Sequence, residues 1–443
     1  MIPARVDVLV VGAGPAGMAA AVHAAESGRH VLVVDEAPRS GGQIWRHRYV
    51  EELPHDAQVW LQRLAASGAQ LLPGASVFDA PDPGHVRLLH ADRAHDVACA
   101  DLVIATGARE RLLPFPGWTL PGVVGVGGVQ ALLKAGLEVR GRDALVAGTG
   151  PLLLPVAALL AHRGARVLAV LEQAPGARIG AFALSLWQSP GHALDAARFR
   201  AAFARARYRT GTWVTRALGT AHVTGARLAD GNREHELACD LLCVGYDLVP
   251  ETRLARLLGC ALADGRVRVD AQQRTSVPHV WCAGEPTGIA GAEAALLAGT
   301  TAGLAIAGRP DRTSPRTRER IALFARRLAE TFALRPELAA LARDDTIVCR
   351  CEDVTIAALR GCRDLREAKL YTRAGMGACQ GRVCGTALEH LRGWTPDTVR
   401  APLVPVPVGA LHSAAARIDA ESVAHPNAGA PAVAAPIDSG GMS

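Results

Sequence analysis

Short runs of valine, leucine and isoleucine alternate along the chain with alanine-rich stretches of helical period. That alternation predicts a parallel α/β architecture, in which strands covered on both faces read as nearly continuous apolar runs. Two strand–turn–helix–strand units stand out. The first predicts a strand over Val6–Val11, a helix over Gly14–Ser27 and a strand over His30–Asp35. The second predicts a strand over Asp143–Ala147, a helix over Leu152–Arg163 and a strand over Arg166–Glu172. Further strands are predicted at Leu102–Thr106, Leu241–Gly245 and Val280–Ala283, each ending near a glycine. At Arg309–Arg318 the pattern breaks into Pro, Ser, Thr and Arg, which reads as a linker, and a polar helix follows over Arg318–Thr331. A cysteine-rich module comes next, from about Thr346 to Trp394. From Ala401 onward the sequence is rich in Pro, Ala, Val and Ser without period, which predicts an extended segment and then a disordered tail.

Composition narrows this little. A chain of 443 residues has room for two or three domains, and 49% apolar with 20% charged residues is ordinary for a soluble globular protein. The net charge is +6, but the basic residues are scattered among 42 acids and aromatics make up only 4%. That argues against nucleic-acid binding. Lys134 and Lys369 are the only lysines, which argues against Schiff-base chemistry. Val8 to Ala25 has the look of a signal peptide, and the uncharged run Ala144 to Ala161 nearly reaches spanning length. Both read better as strand, glycine turn and helix, so a cytoplasmic protein with no membrane span is expected.

The turn of the first unit reads GAGPAG. Gly12 permits the tight turn, Gly14 lets backbone approach a pyrophosphate, and Gly17 allows close helix–strand packing. Pro15 and Ala16 open the helix whose N-terminal N–H groups face the phosphates. Asp35 falls about twenty residues on, where a carboxylate can bond ribose hydroxyls, and Glu36 is its runner-up. The strand before, the helix after and the acid at the right distance make this a dinucleotide site. The second unit repeats the fingerprint as GTGPLL, with Gly148, Gly150 and, at the end of the next strand, Glu172. Its third small position is occupied by Leu153, which pushes helix from strand or fills space beneath a pyrophosphate. Two readings stand: a domain that keeps its fold without using NAD(H), or one that binds NAD(P) or another adenine nucleotide.

Ten cysteines divide into two sets. Cys99, Cys239, Cys243, Cys260, Cys282 and Cys362 lie mostly in apolar contexts where a free thiol packs as a small hydrophobe, Cys362 on a helix. Cys239 and Cys243 fall along one strand-like run, too far apart for easy bridging. No CxxC or CxxxxC lies near the first turn, so no redox disulfide is expected there. The other four form Cys349-x-Cys351 and Cys379-x4-Cys384. Four thiolates are what a 2Fe–2S cluster requires. Gly375, Gly377 and Gly381 would let backbone N–H groups reach the sulfurs, while Arg350, Arg373 and Arg382 supply positive charge. A helix starting near Cys379 would aim its N-terminus inward. Structural zinc is the competing reading, but the halves are neither a matched CxxC pair nor spaced as a zinc ribbon.

Three further segments extend the picture by resemblance. APRSGGQIW, with Gly42 and Gln43, is similar to the loop along the flavin in pyridine-nucleotide-disulfide-oxidoreductase-like flavoproteins. LVIATGARER, with Thr106 and Gly107, resembles their ATG motif, and VWCAGEPTG places Gly284 and Glu285 where they carry a Gly-Asp pair. The resemblance covers about residues 5 to 308 and implies FAD. The cysteine block resembles the bacterioferritin-associated-ferredoxin-like 2Fe–2S domain. Together with GWTLPGV (Gly117–Val123), GPLLLPVA (Gly150–Ala157) and CQGRVC, the chain from about residue 5 to 395 resembles the FAD-binding subunits of opine oxidases, hydrogen cyanide synthase and hydroxyproline or proline dehydrogenases.

That resemblance implies two Rossmann-like, glutathione-reductase-like domains in three layers, followed by a small, mainly α 2Fe–2S domain. The expected division is 1–116 and 263–310 for the FAD domain, 117–262 for the second dinucleotide domain, 311–345 for the linker and helix, 346–396 for the cluster domain and 397–443 for the tail. It also implies a partner: an amine-oxidising, D-amino-acid-oxidase-like flavoprotein subunit, with a small ferredoxin-like subunit completing the complex. This chain would then relay electrons from a CH–NH donor to an acceptor. A stand-alone NAD(P)H-dependent FAD/2Fe–2S reductase is the alternative, and a non-enzymatic assembly or sensing role the third. No His/Asp or Tyr/Arg constellation for an amino-acid substrate is legible, and His85, His90 and His95 read as surface.

Overall fold

The computed structural model describes residues 2–47, 53–231, 233–395 and 399–411. The chain opens with β1 (Arg5–Val11), α1 (Pro15–Ala25) and β2 (Val31–Asp35), the two strands pairing in parallel. The stretch with the look of a signal peptide is therefore a strand and a helix. Val8, Leu9 and Val10 are all fully buried, because helices and hairpins cover both faces of the strand. α2 (His55–Ala66) leads to the edge strand β3 (Gln70–Pro73), and β4 (Ala75–Asp82), β5 (His85–His90) and β6 (Arg93–Ile104) complete the order β3-β2-β1-β6-β5-β4. β6 is much longer than its apolar end suggests. Its first half is an antiparallel partner of β5, half-buried and alternating, and only Ala98–Ile104 carries the buried parallel register with β1.

The chain then crosses by β7 (Ala108–Glu110) into a second unit. β8 (Val123–Gly125), α3 (Val126–Lys134), β9 (Asp143–Thr149), α4 (Leu153–His162), β10 (Arg166–Glu172), α5 (Gly176–Ser185), α6 (Pro190–Ala202) and β11 (Arg207–Thr210) follow in order. A meander of β12 (Thr212–Gly219), β13 (Val223–Asp230) and β14 (Arg233–Ala238) precedes β15 (Leu241–Tyr246). The parallel sheet runs β11-β10-β9-β15-β8, and the meander packs on one face through Trp213, Val214, Ala226 and Leu228. Ala144 to Ala161 is thus strand, turn and helix, and among the described residues no helix is long and apolar enough to cross a membrane.

β16 (Leu248–Pro250) returns antiparallel to β7, making a two-strand joint between the units. After α7 (Arg253–Leu257) and the small hairpin β17 (Leu262–Ala263) and β18 (Arg266–Val267), β19 (Val280–Cys282) rejoins the first sheet beside β6. α8 (Gly291–Ile306) then crosses α1 at backbone contact: a Cβ on Gly303 would stand 2.6 Å from Ala20 O, and one on Gly299 would run into Ala16 O. Small residues on both helices are what permit that approach.

α9 (Pro315–Thr331) begins three residues earlier than its polar pattern suggests, because Ser314 caps it by accepting the Thr317 N–H at 3.2 Å and Pro315 fits the first turn. The cysteine module contains β20 (Ile347–Cys349), β21 (Val354–Thr355), α10 (Leu365–Thr372) and α11 (Cys384–Arg392), around Val348, Leu359, Ala368 and Leu388. Two expectations fail here. The helix starts at Cys384, not near Cys379, since the four residues between them, with Gln380 and Gly381 at positive φ, are turn. Cys362 is half-buried in the connection before α10, not on a helix. Cys239 likewise sits in the turn between β14 and β15, so it shares no strand with Cys243. Beyond the module, Leu403 packs back on the first unit, donating its N–H to Phe78 O at 2.7 Å. The disordered tail expected after that falls almost wholly outside the described residues.

Candidate functional site

The first glycine turn is built by two kinds of glycine. Gly12 has φ +107° and a Cβ there would run into Ala105 O, while a Cβ on Gly17 would run into Gly12 O. These two close the turn against β6 and the helix against the turn. Gly14 is different: its φ of −76° is ordinary, and a Cβ would find only Gly42 Cα, at 3.8 Å. Gly42, at φ +60°, faces it from the loop that Gly41 anchors by donating to Ala13 O at 2.8 Å. Gly284 brings β19's end to the same place, within 2.7 Å of Ala16 Cβ if it carried a side chain. The glycine turn, the Gly41–Gly42 loop and the end of β19 therefore meet at the start of α1 with little more than the Ala16 methyl between them. That is the cradle a pyrophosphate needs, and FAD fits it.

The helix is well formed from its first turn. Met18 N donates to Gly14 O at 2.9 Å, which leaves the N–H groups of Ala16 and Gly17 leading toward the cradle, and Pro15 has none to lose. Asp35 accepts from Ala13 N at 2.6 Å on one oxygen and from Ala37 N at 2.7 Å on the other. It is half-buried, and each oxygen keeps a lone pair for a ribose hydroxyl. Glu36 and Gln43 are exposed beside it. Thr106 turns its hydroxyl away, donating to Glu251 O at 2.7 Å, and Gly107 O accepts from Glu251 N at 2.9 Å. Burial holds the Glu285 carboxyl above the usual carboxylate range.

The second turn has the same outline and different contents. Gly148, at φ +141°, closes against Gly245 O. Leu153, where the first turn has Gly17, is buried in the core of its unit with Val156, Ala157 and Val146. The helix starts late: Leu153 N bonds Gly150 O at 3.2 Å and Leu154 N bonds Pro151 O at 3.1 Å, a tighter first turn that uses N–H groups a phosphate would need. Glu172 is fully buried. One oxygen accepts from Gly150 N at 2.8 Å, the other from Ala174 N at 2.9 Å and lies 3.1 Å from the Thr149 hydroxyl. Burial pushes its carboxyl up to about 7 despite those donors.

What covers Glu172 is the chain itself. The Thr149 hydroxyl also lies 3.0 Å from Phe332 O, just past the end of α9. The Gln173 side chain donates to Ala333 O at 3.1 Å and accepts from Arg335 N at 3.1 Å. Phe332 packs edge-on to Phe182 of α5, and the Arg335 guanidinium lies 3.6 Å over the Trp213 ring. Ligands of open α/β sheets bind outside the carboxyl ends of the strands. Here residues 332–335 lie across the ends of β9 and β10. No local signal in the sequence marks Gln173 or this strap.

All ten cysteines are free thiols. The four of the C-terminal module come together as two hydrogen-bonded pairs, Cys351 with Cys379 and Cys349 with Cys384. Cys349 ends β20 and Cys384 opens α11, both buried; Cys351 is exposed and Cys379 half-buried. Gly377 passes Cys351 so closely that a Cβ would collide with it, and Gly375 passes Cys384. Burial pushes the Cys379 thiol up, but N–H groups of Val383, Gly381 and Arg382 and the Cys351 thiol hold it below the usual range. Among the described residues, no group of three or more His, Cys, Asp or Glu side chains is arranged to hold a metal ion. The module is pinned to the second unit by Trp118, whose indole N–H donates to Ile347 O at 2.6 Å, with Arg350 stacked 5.3 Å over its ring. That is the place of the GWTLPGV segment. Arg373 pairs with Glu352 at 2.7 Å.

Two dinucleotide folds on one chain, joined by a short two-strand joint and opening a glycine-lined cradle in the first, define a flavoprotein oxidoreductase. The family model for pyridine nucleotide-disulphide oxidoreductases matches residues 6–299. The A subunit of opine oxidase from Rhizobium meliloti is 36% identical, over 91% of this chain and 97% of that one. The HcnB subunit of hydrogen cyanide synthase from Pseudomonas aeruginosa is 32% identical, over 91% and 98%. The crystal structure of L-proline dehydrogenase from P. horikoshii shares the fold, with a TM-score of 0.64 at 20% identity, over 92% of this chain and 79% of that one. The chain belongs to the pyridine nucleotide-disulphide oxidoreductase family, in the group of the opine oxidase A and hydrogen cyanide synthase B subunits, and is an FAD-dependent oxidoreductase.

Proposed function

We propose that this chain is the electron-relaying subunit of a multi-subunit dehydrogenase acting on CH–NH donors. In this reading FAD lies on the first glycine turn, held by Gly12, Gly14, Ala16, Gly17, Asp35, Gly42 and Gly284. A 2Fe–2S cluster is held by Cys349, Cys351, Cys379 and Cys384, and substrate oxidation takes place on an amine-oxidising partner. Bound FAD would supply the exchange between two-electron and one-electron chemistry. The chain's own part is to hold the two groups and to exclude other donors. Support for the cluster comes from the donor set: four thiols in two pairs suit two irons that each take two thiolates, and N–H groups converge on Cys379. Support for the partner comes from the relatives, which are named as subunits of opine oxidase and hydrogen cyanide synthase.

The observation that carries the relay over a stand-alone NAD(P)H reductase is the sealed Glu172. An adenosine ribose cannot reach a carboxylate that is fully buried and already bonded to its own turn. Electrons therefore enter from a partner and not from a nicotinamide. Stopped-flow reduction of the FAD band tests this. NADH or NADPH alone should bleach it slowly or not at all, while the amine-oxidising partner with its substrate should bleach it readily. Bleaching by NADH alone at ~10 s⁻¹ or faster, a typical enzymatic turnover, rejects the relay in favour of the reductase.

A further inference from the structure

Between the first glycine turn and the cysteine loop stands a joint that no part of the reading above uses. Thr106 and Gly107, at the end of β6, are both bonded to the backbone of Glu251: the Thr106 hydroxyl donates to its carbonyl at 2.7 Å, and its N–H donates to Gly107 O at 2.9 Å. The Glu251 carboxylate is buried and shared by two arginines. Arg253 grips it with Nε at 2.9 Å on one oxygen and a terminal nitrogen at 3.0 Å on the other, and reaches on to Leu403 O at 2.7 Å. Arg109 holds that second oxygen too, at 2.7 Å by Nε, a charge contact off the N–H axis, and a guanidinium keeps its charge even when buried. Burial alone would raise the Glu251 carboxyl, yet Arg109 and Arg253 hold it below its usual range.

The other end of the Arg109 guanidinium points elsewhere. Its Nη1 donates to Arg382 O at 3.0 Å. Arg382 lies inside the loop from Cys379 to Cys384, and its own N–H donates to Cys379 O at 3.0 Å. One planar cation thus bridges the carboxylate behind the flavin-side turn and the backbone of the cysteine loop. Lysine cannot do this, because an ammonium on a flexible stem lacks the fixed fork. On the far side of the loop the fastening is to the second unit: Trp118 bonds Ile347 O and Val383 packs on that unit's core. Arg109 faces the first unit.

We propose that Arg109 is a positioning residue for electron transfer within the chain: with Glu251 it fixes the cysteine loop at a set place relative to the flavin-side turn. The step it serves moves one electron, leaving one carrier oxidised by one electron and the other reduced by one, with no bond made or broken. This rests on the proposed FAD and cluster assignment. A loosened loop would lengthen the gap without releasing either group.

The test uses the full-length protein, anaerobically prepared, as wild type, Arg109→Met and Arg109→Lys. FAD, iron and sulfide are quantified first. A pulse of a small organic radical then delivers one electron, and its redistribution between the flavin and cluster bands is timed. Both variants should keep FAD and iron at wild-type stoichiometry and equilibrate tenfold or more slowly. Wild-type speed in a variant carrying both groups overturns the proposal alone. Wild-type protein without iron overturns the cluster reading and this proposal with it. Should Arg109→Met fail to fold, Arg109→Lys decides, since it keeps the charge on Glu251 and gives up the fork: slow transfer supports the bridge, and wild-type transfer refutes it.

Discussion

The two glycine turns of this chain share one plan and do opposite things. Both have a strand, a GxG turn, a helix and an acid at the end of the next strand. In the first, Gly17 lets α1 seat directly on Gly12, the helix opens in α geometry, and Asp35 stays half-buried with oxygens to spare. In the second, Leu153 occupies the core, α4 starts two residues later, and Glu172 is spent on its own backbone beneath residues 332–335. The fingerprint therefore specifies a fold more firmly than it specifies a ligand. What decides binding is whether the acid can be reached and whether the first N–H groups are free.

The largest break in that comparison is to give the first turn the second turn's residue. Gly17→Leu places a Cβ against Gly12 O, and no rotamer can relieve a clash of backbone with Cβ. The destabilisation should exceed the ~1–3 kcal/mol of ordinary overpacking and leave little soluble protein, none of it yellow. The reciprocal Leu153→Gly empties part of a packed core and should cost about 3–5 kcal/mol. It should not create NADH binding, because Glu172 stays covered. Soluble, flavin-replete Gly17→Leu protein would contradict the packing described for the turn.

Gly14→Val separates binding from folding. The Gly14 backbone is in a region valine adopts readily, and the space its side chain needs holds only Gly42 Cα at 3.8 Å. The apoprotein should melt within about 1 kcal/mol of wild-type apoprotein, as surface-like substitutions do. The flavin content of the purified variant should fall to a tenth or less. Equal flavin occupancy would place the flavin somewhere other than this turn.

Much of this is legible in the chain. The buried parallel strands announce themselves because both faces are apolar, and the glycine turn marks where β1 ends and α1 begins. Leu153 is visible as a departure. The four cysteines stand out as a set by their spacing, and the structure brings them together as two hydrogen-bonded pairs. Other features are hidden because they depend on distant partners. Arg109 and Glu251 lie far apart in the sequence and no local pattern joins them. Phe332 meets Thr149 from 183 residues away, so the segment that closes the linker helix is also a cover. The start of α11 is hard to place because Gln380 and Gly381, both at positive φ, keep the chain in turns after Cys379.

The finest probe of the difference between the turns is pH. Burial holds the Glu172 carboxyl at about 7, against 4.5 for a free glutamate. The folded chain then keeps a proton that the unfolded chain has released, so the native state binds more protons between those values. Stability from this group is whole below about 4.5 and is lost as the pH rises toward 7, by an amount on the order of 3 kcal/mol. Glu110, half-buried under the N-terminus of α3 and also held at about 7, contributes a parallel loss in the same window. Wild-type urea midpoints should therefore fall between about pH 5 and about pH 7.5. Glu172→Gln should remove roughly half of that fall, leaving the share that belongs to Glu110. It should also lower the midpoint below about pH 5, where glutamine turns an amide N–H toward the donors of Gly150 or Ala174. Identical pH profiles for the two proteins would mean that Glu172 titrates in contact with water, and then the second cleft would be open to a ribose after all.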